Sequence, residues 1–305
     1  MIHTRSVLVA LSVCSAVAAA AAAARAEELV FGVFVPEAPF ATNAERSAWA
    51  ERFVADVAAH AKGAFTARAQ VFARREDAAG FAGRVDVLIA DGNFIADRSL
   101  EVIAHGGATA SVALYAAQGT SVADLRGKVV AFASAGANDA NFYANTALAG
   151  EVAASTFFGE LRDTKDATSA LGAVRAGSAA AAFAPAGHPG AAGLKLLAQG
   201  GTFAIAVVGV ANTAKVAPVK DALLAALAAS AGGALGTFTG GPGDAYARTR
   251  AARGSPRVLT TPAMLAGGVE AKPVAPAIRL KSHGKLPAAA VDLGALARPI
   301  LVEPP

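Results

Sequence analysis

Between residues 28 and 230 the chain alternates short, nearly unbroken apolar runs with longer segments whose apolar residues recur every three or four positions. The first kind predicts strands buried on both faces, the second amphipathic helices. Glu28 to Pro36, ELVFGVFVP, reads as a first strand closed by a proline. The helix after it has Thr42 or Asn43 as its cap, and Gly63 is placed to end it. Trp49, Phe53, Val57 and Ala61 share one face of that helix, which makes Trp49 a core residue before a ligand contact. Ala67 to Ala73 and Val85 to Ala90 are predicted strands flanking a short helix from Arg75 to Ala82. Ala110 to Ala117 follows as a strand, and Ser121 with Asp124 three residues later forms a capping-box pattern closed by Gly127. Val129 to Ala133 is a buried strand that runs into the small, polar loop Ser134 to Asp139 and then a helix from Ala140.

The second half repeats the alternation. Thr164 to Ala176 is a helix with Ala170, Leu171 and Val174 on its buried side, and Ala179 to Phe183 is a strand ending in Pro185-Ala186-Gly187-His188. Gly201 to Ala211 reads as one strand carrying the chain back, with Ala217 to Ala229 an amphipathic helix after it. From Gly232 the periodicity fades. Gly240-Gly241-Pro242-Gly243 reads as a loop and no phosphate cradle, because no strand leads into it and no lysine follows. From Ser255 prolines recur to Pro305, which predicts an extended tail.

Strands alternating with helices predict an α/β protein with mostly parallel sheets covered on both faces. In such sheets a ligand sits beyond the carboxyl ends of the strands. That rule selects Pro36 to Phe40 with Glu37, Asp91 to Asn93, Ser134 to Asp139 with Asn138, and the loop carrying His188. Asp91 either caps the next segment or faces the ligand. Asp139 is better explained as a helix cap than as a ligand contact. A lone loop histidine such as His188 is more often solvated than bound to ligand.

At the N-terminus Arg5, an uncharged run from Val7 to Ala24 and the sequence Ala24-Arg25-Ala26 make the three parts of a secretory signal, with cleavage expected after Ala26; a membrane anchor is the alternative. The 279 residues that remain contain no cysteine, since Cys14 lies in the signal, so no disulfide or thiolate metal site is available to them. Removing Arg5 and Arg25 from the 27 basic residues leaves 25 against 23 acidic ones, a net charge of +2 without a basic stripe. Nucleic acid is therefore not an expected partner.

Three stretches carry a family resemblance: RVDVLIADG, then SVALYAAQGTSVADLRGKVVAFASAGANDANFYANTALAG, then TKDATSALGAVRAGSAAAAFAP. Together they resemble the phosphate/phosphonate-type substrate-binding components of ABC transporters, which are type II periplasmic binding proteins. The resemblance covers roughly residues 29–227 and rests on order and spacing. It implies two lobes, each a mostly parallel sheet flanked by helices: 27–116 for the first, 117–201 for the second, 202–254 returning to the first, and 255–305 as the tail. It also implies a small-molecule ligand in the cleft, an ABC permease as partner, a monomer, and periplasmic localisation. Asp124-Leu125-Arg126-Gly127-Lys128 with Ala131-Phe132 match the phrase that opens the second lobe. In the family the next turn holds phosphonate oxygens with hydroxyl side chains, and Tyr143 falls where an aromatic residue often lies near the ligand. Here that turn is Ala137-Asn138-Asp139-Ala140, which lacks the hydroxyls and brings a carboxylate instead. This predicts a protein that does not bind phosphonate in the family's manner.

No nucleophile elbow, zinc-protease motif, P-loop or dinucleotide fingerprint occurs, so no enzyme activity, metal or cofactor is expected. The expected function is solute capture for a permease, with a non-transporting sensory or scaffold protein on the same fold as the alternative.

Overall fold

The computed structural model describes residues 26–255; the expected signal, apart from Ala26, and the tail beyond Ser255 lie outside them. In chain order the elements of the first half are β1 (Glu27–Phe34), α1 (Asn43–His60), β2 (Phe65–Val71), α2 (Arg75–Ala79), β3 (Val87–Ala90), α3 (Gly92–Ala96), β4 (Glu101–Gly106) and β5 (Thr109–Ala116). Then come β6 (Val129–Ala133), α4 (Asp139–Thr146), α5 (Ala154–Phe157), β7 (Glu160–Thr164), α6 (Ala167–Arg175), β8 (Ala181–Pro185) and β9 (Lys195–Ala204). The return comprises β10 (Val207–Val210), α7 (Thr213–Val216), α8 (Lys220–Ala229), β11 (Phe238–Gly240) and α9 (Gly243–Ala252).

Two sheets form, with strand orders β11-β4-β10-β3-β1-β2 and β7-β6-β8-β5-β9. Both are mixed, not mostly parallel as the alternation predicted. β2, β1 and β3 run parallel, as do β7, β6 and β8, because helices connect them. β10 and β11 in one sheet, and β5 and β9 in the other, lie antiparallel to their neighbours.

Alternate residues of β1 feed different cores. Leu29, Phe31 and Val33 face α1, while Val30 and Phe34 join Phe94, Ile95, Val207 and Tyr246 on the other side. That two-sided burial is why the strand reads as a continuous apolar run. α1 starts where Thr42 Oγ1 accepts from Glu45 N at 3.1 Å and Glu45 Oε2 accepts from Ala41 N at 2.8 Å. Its stripe stacks Trp49 on Phe53 at 5.1 Å, with Phe53 against Phe238 at 5.0 Å, and Trp49 Nε1 donates to Gly232 O at 3.1 Å. The returning chain is thus sealed onto the first helix.

The two crossings between sheets run side by side, since Thr109 pairs with Ala204 and His105 with Val207. The first lies at residues 106–109. β5 therefore belongs to the second sheet, which corrects the expected lobe boundary after residue 116. The expected single strand from Gly201 to Ala211 is divided between β9 and β10, one in each sheet. A further correction concerns Gly240 to Gly243: β11 does lead into it, and α9 follows. α9 packs on β9, α3 and α4, and so touches both lobes.

Candidate functional site

Three strand ends meet across the cleft. Glu37, just past β1, is 2 % exposed; Asp91 and Asn93, after β3, are 1 % exposed; Ser134, Asp139 and Tyr143 face them from the other lobe and are buried as well. Asp91 accepts from Asn93 N at 2.7 Å and so caps α3 while remaining in the cleft. Asn93 Nδ2 donates across the cleft to Asp139 Oδ1. Asp139 opens α4, and its carboxylate also receives Gly136 N at 2.8 Å and Ala135 N at 3.1 Å. Two backbone donors of this turn are thereby filled by the chain's own carboxylate. Ser134 Oγ stands 3.5 Å from both Asp139 Oδ2 and Asp163 Oδ2.

Tyr143 stacks on Phe183 at 4.8 Å, and its Oη lies 2.5 Å from Glu37 Oε1 and 3.0 Å from Ala133 O. A phenol carries one hydrogen, so both neighbours are satisfied together when Glu37 brings its own proton. Electrostatics agree. Burial pushes Glu37 well above the usual carboxylate range, and Asp91, Asp139 and Asp166 push it further while the Tyr143 bond opposes. Burial also raises Asp91 to about 7 against the N–H bonds of Asn93 and Phe94. Asp139 rises to about 7 for the same first reason, opposed by the N–H groups of Gly136 and Ala135. The Tyr143 phenol is raised well above its ordinary value, first by burial and then by Glu37.

Two residues on the expected roster lie apart. Asn138 is exposed and makes no capping bond, although it precedes α4. His188 is buried and caps a short turn, its Nδ1 accepting from Gly190 N at 3.0 Å; burial lowers its pKa. Its Nε2 is buried without a partner.

Several participants were not read from the sequence. Arg46, 3 % exposed on α1, faces Asp166 of the other lobe at 3.9 Å. It lies three and seven positions before Trp49 and Phe53, and an arginine on that apolar stripe was a usable signal. Arg75 spans the cleft to Gly136 O at 3.3 Å and to Asp163 at 3.8 Å. Asp97 accepts from Ala137 N across the cleft and pairs with Arg253, while Asn145 Nδ2 donates to Ala252 O at 2.7 Å. Gly136 fits because a Cβ there would stand 2.7 Å from Asp97 Oδ2 and 3.1 Å from the Asn93 amide. At the cleft mouth Arg74, Arg75, Glu76, Ser134, Asp163, Thr164, Lys165 and Ser169 line a cavity of about 400 Å³. Among the described residues no group of three or more His, Cys, Asp or Glu side chains is placed to hold a metal ion.

No protein-family model and no curated protein matches the chain. Solved structures do. A Xanthomonas citri protein bound to chloride matches 74 % of this chain and 97 % of its own at a TM-score of 0.52 and 11 % identity. The binding-protein component of a phosphonate ABC transporter from Pseudomonas aeruginosa matches 71 % of this chain and 82 % of its own, at 0.51 and 14 %. The chain has the two-lobed α/β fold of the periplasmic binding proteins. At such identities the likeness speaks for the fold alone, and function has to be argued from the site.

Proposed function

We propose that this chain is an exported, periplasmic solute-binding protein that closes two lobes over a small ligand and presents the closed form, as a monomer, to an ABC permease. The observation that supports it is the meeting of strand ends from both sheets in direct hydrogen bonds: Tyr143 with Glu37, Asn93 with Asp139, and Ala137 with Asp97. A ligand that touches both lobes shifts the open–closed equilibrium by its differential affinity, which is what a permease reads. We also propose that phosphonate is not that ligand. Asp139 already accepts from the Ala135 and Gly136 N–H groups, so a phosphonate would find those donors of the turn occupied and a carboxyl where the family has hydroxyls. Calorimetric titration of methylphosphonate into wild type and Asp139→Ser tests this: no binding to the wild type is expected, and micromolar binding to it refutes the claim.

The second reading, a sensory or scaffold protein on the same fold, is favoured by the same bonds, since lobes that hold each other directly can persist closed. A thermal-shift screen separates the two. A solute-binding protein gains melting temperature with a specific ligand by mass action, and a scaffold does not respond to any. For export, mass spectrometry of the periplasmic protein is expected to find Glu27 at or near the N-terminus, against Met1 in the membrane fraction for an anchor.

A further inference from the structure

The buried cluster between the lobes has an imbalance of hydrogen-bonding groups. Glu37 Oε2, Asp91 Oδ2 and Asn93 Oδ1 are acceptors on side chains at most 2 % exposed, and none has a donor. The Asn93 amide is oriented by its Nδ2 bond to Asp139, which leaves its oxygen as the free end. Asp139, Asp166 and the Tyr143 phenol face Glu37 in the same cluster. Of the basic groups nearby, Arg75 acts on Asp139 and Asp163, while Arg46 faces Asp166 through Nη2 and keeps its Nε and Nη1 without a partner. Among the described residues no side-chain cation bonds to Glu37 or Asp91.

Buried acceptors are normally satisfied, and three left open in one cluster call for a donor from outside the chain. We infer that the cleft recognises a small solute bearing a protonated primary amine, with Glu37, Asp91 and Asn93 as its acceptors; this rests on the reading of the chain as a solute-binding protein. An alkylammonium has three N–H donors and no acceptor, which is the complement of these three oxygens. A quaternary ammonium has the charge without the donors, and a phosphonate adds acceptors to a site already rich in them. Entry requires the lobes to part at the Asn93–Asp139 and Tyr143–Glu37 bonds, after which the ammonium donates to the three oxygens, all of which lie on the first lobe. The mouth cavity shares Ser134 with the cluster and supplies room for the body of the solute. Because the acids hold protons near neutrality, binding an ammonium releases protons, and the calorimetric enthalpy will depend on the ionisation enthalpy of the buffer.

The test titrates putrescine, ethanolamine and β-alanine into the exported protein, with tetramethylammonium, methylphosphonate and glucose alongside, by thermal shift and calorimetry. At least one primary amine is expected to bind with proton release, and tetramethylammonium is not. Asp91→Asn and Glu37→Gln are expected to weaken the amine roughly tenfold or more, about one decade being 1.4 kcal/mol. Both replace a buried carboxyl by an uncharged amide of the same shape, so failure to fold is not the expected cause of lost binding. Amines that bind the variants as well as the wild type overturn the assigned acceptors. Silence toward amines with a response to methylphosphonate or glucose overturns the amine inference and leaves the solute-binding reading standing. Silence toward every compound overturns both.

Discussion

Replacing Asp91 with asparagine is expected to stabilise the protein, and the gain is expected to depend on pH. Asp91 is 1 % exposed, and its Oδ2 has no donor. Its carboxyl is raised from 3.8 to about 7, chiefly by burial. Unfolded, the group loses its proton above about pH 4; folded, it keeps the proton until about pH 7. The folded state therefore binds more protons across that window, and stability falls as pH rises through it. At 1.36 kcal/mol per unit the full cost at pH 8 is roughly 4 kcal/mol, and at pH 5 about 1 to 2 kcal/mol. Asparagine has no such charge, keeps an oxygen to accept from Asn93 N, and turns the unpartnered Oδ2 into an N–H donor beside Glu37. Urea unfolding of both proteins between about pH 5 and 8 measures the difference. A gain that is absent, or that does not grow with pH, would refute the assignment of Asp91 as a buried, uncompensated acid.

Gly136→Ala would set a methyl 2.7 Å from Asp97 Oδ2 in the closed cleft, so small-angle scattering is expected to show a larger radius of gyration than wild type. Tyr143→Phe keeps the stack on Phe183 but removes the hydroxyl shared by Glu37 and Ala133 O; a loss of about 1–3 kcal/mol in chemical unfolding is expected. Asp86 accepts from Val30 N and from Asn212 Nδ2, both at 2.9 Å, and its replacement by alanine leaves a buried strand N–H unpaired. That is expected to cost about 1–3 kcal/mol, a fall of several degrees in Tm.

What could be read from the chain was whatever is encoded locally. The strand Val129–Ala133 was read at its observed bounds because an apolar run stops abruptly at a polar turn. The Ser121–Asp124 cap was read because its two partners are three residues apart, and Asp124 Oδ2 does receive Ser121 N at 2.8 Å. Sheet membership is a long-range property, and there the reading failed. Thr109–Ala116 carries nothing to say which sheet it joins, and Gly201 to Ala211 crosses between sheets without a polar break. The charged edge strand Glu160–Thr164 and the helix Gly243–Ala252, held by Ala245, Tyr246 and Thr249, lack a strong apolar pattern and were passed over. For the site, strand-end logic selected Glu37, Asp91, Asn93, Ser134 and Asp139, which the fold brings together. It could not tell an exposed Asn138 from a buried Asp139 one residue later, because a helix start turns neighbouring side chains about 100° apart.

The strand order imposes a schedule on synthesis. β10 fills the gap between β3 and β4, yet it is made only after the whole of residues 109–204, which alone build the second sheet. A chain growing from its N-terminus thus holds β3 and β4 with bare apolar edges while the later lobe is completed, and the lobe translated first is the last able to fold. A nascent chain arrested after Ile205 should accordingly yield a protease-resistant fragment from residues 109–204 and none from residues 27–106. The exposed edges of that waiting half are where a chaperone would have to act.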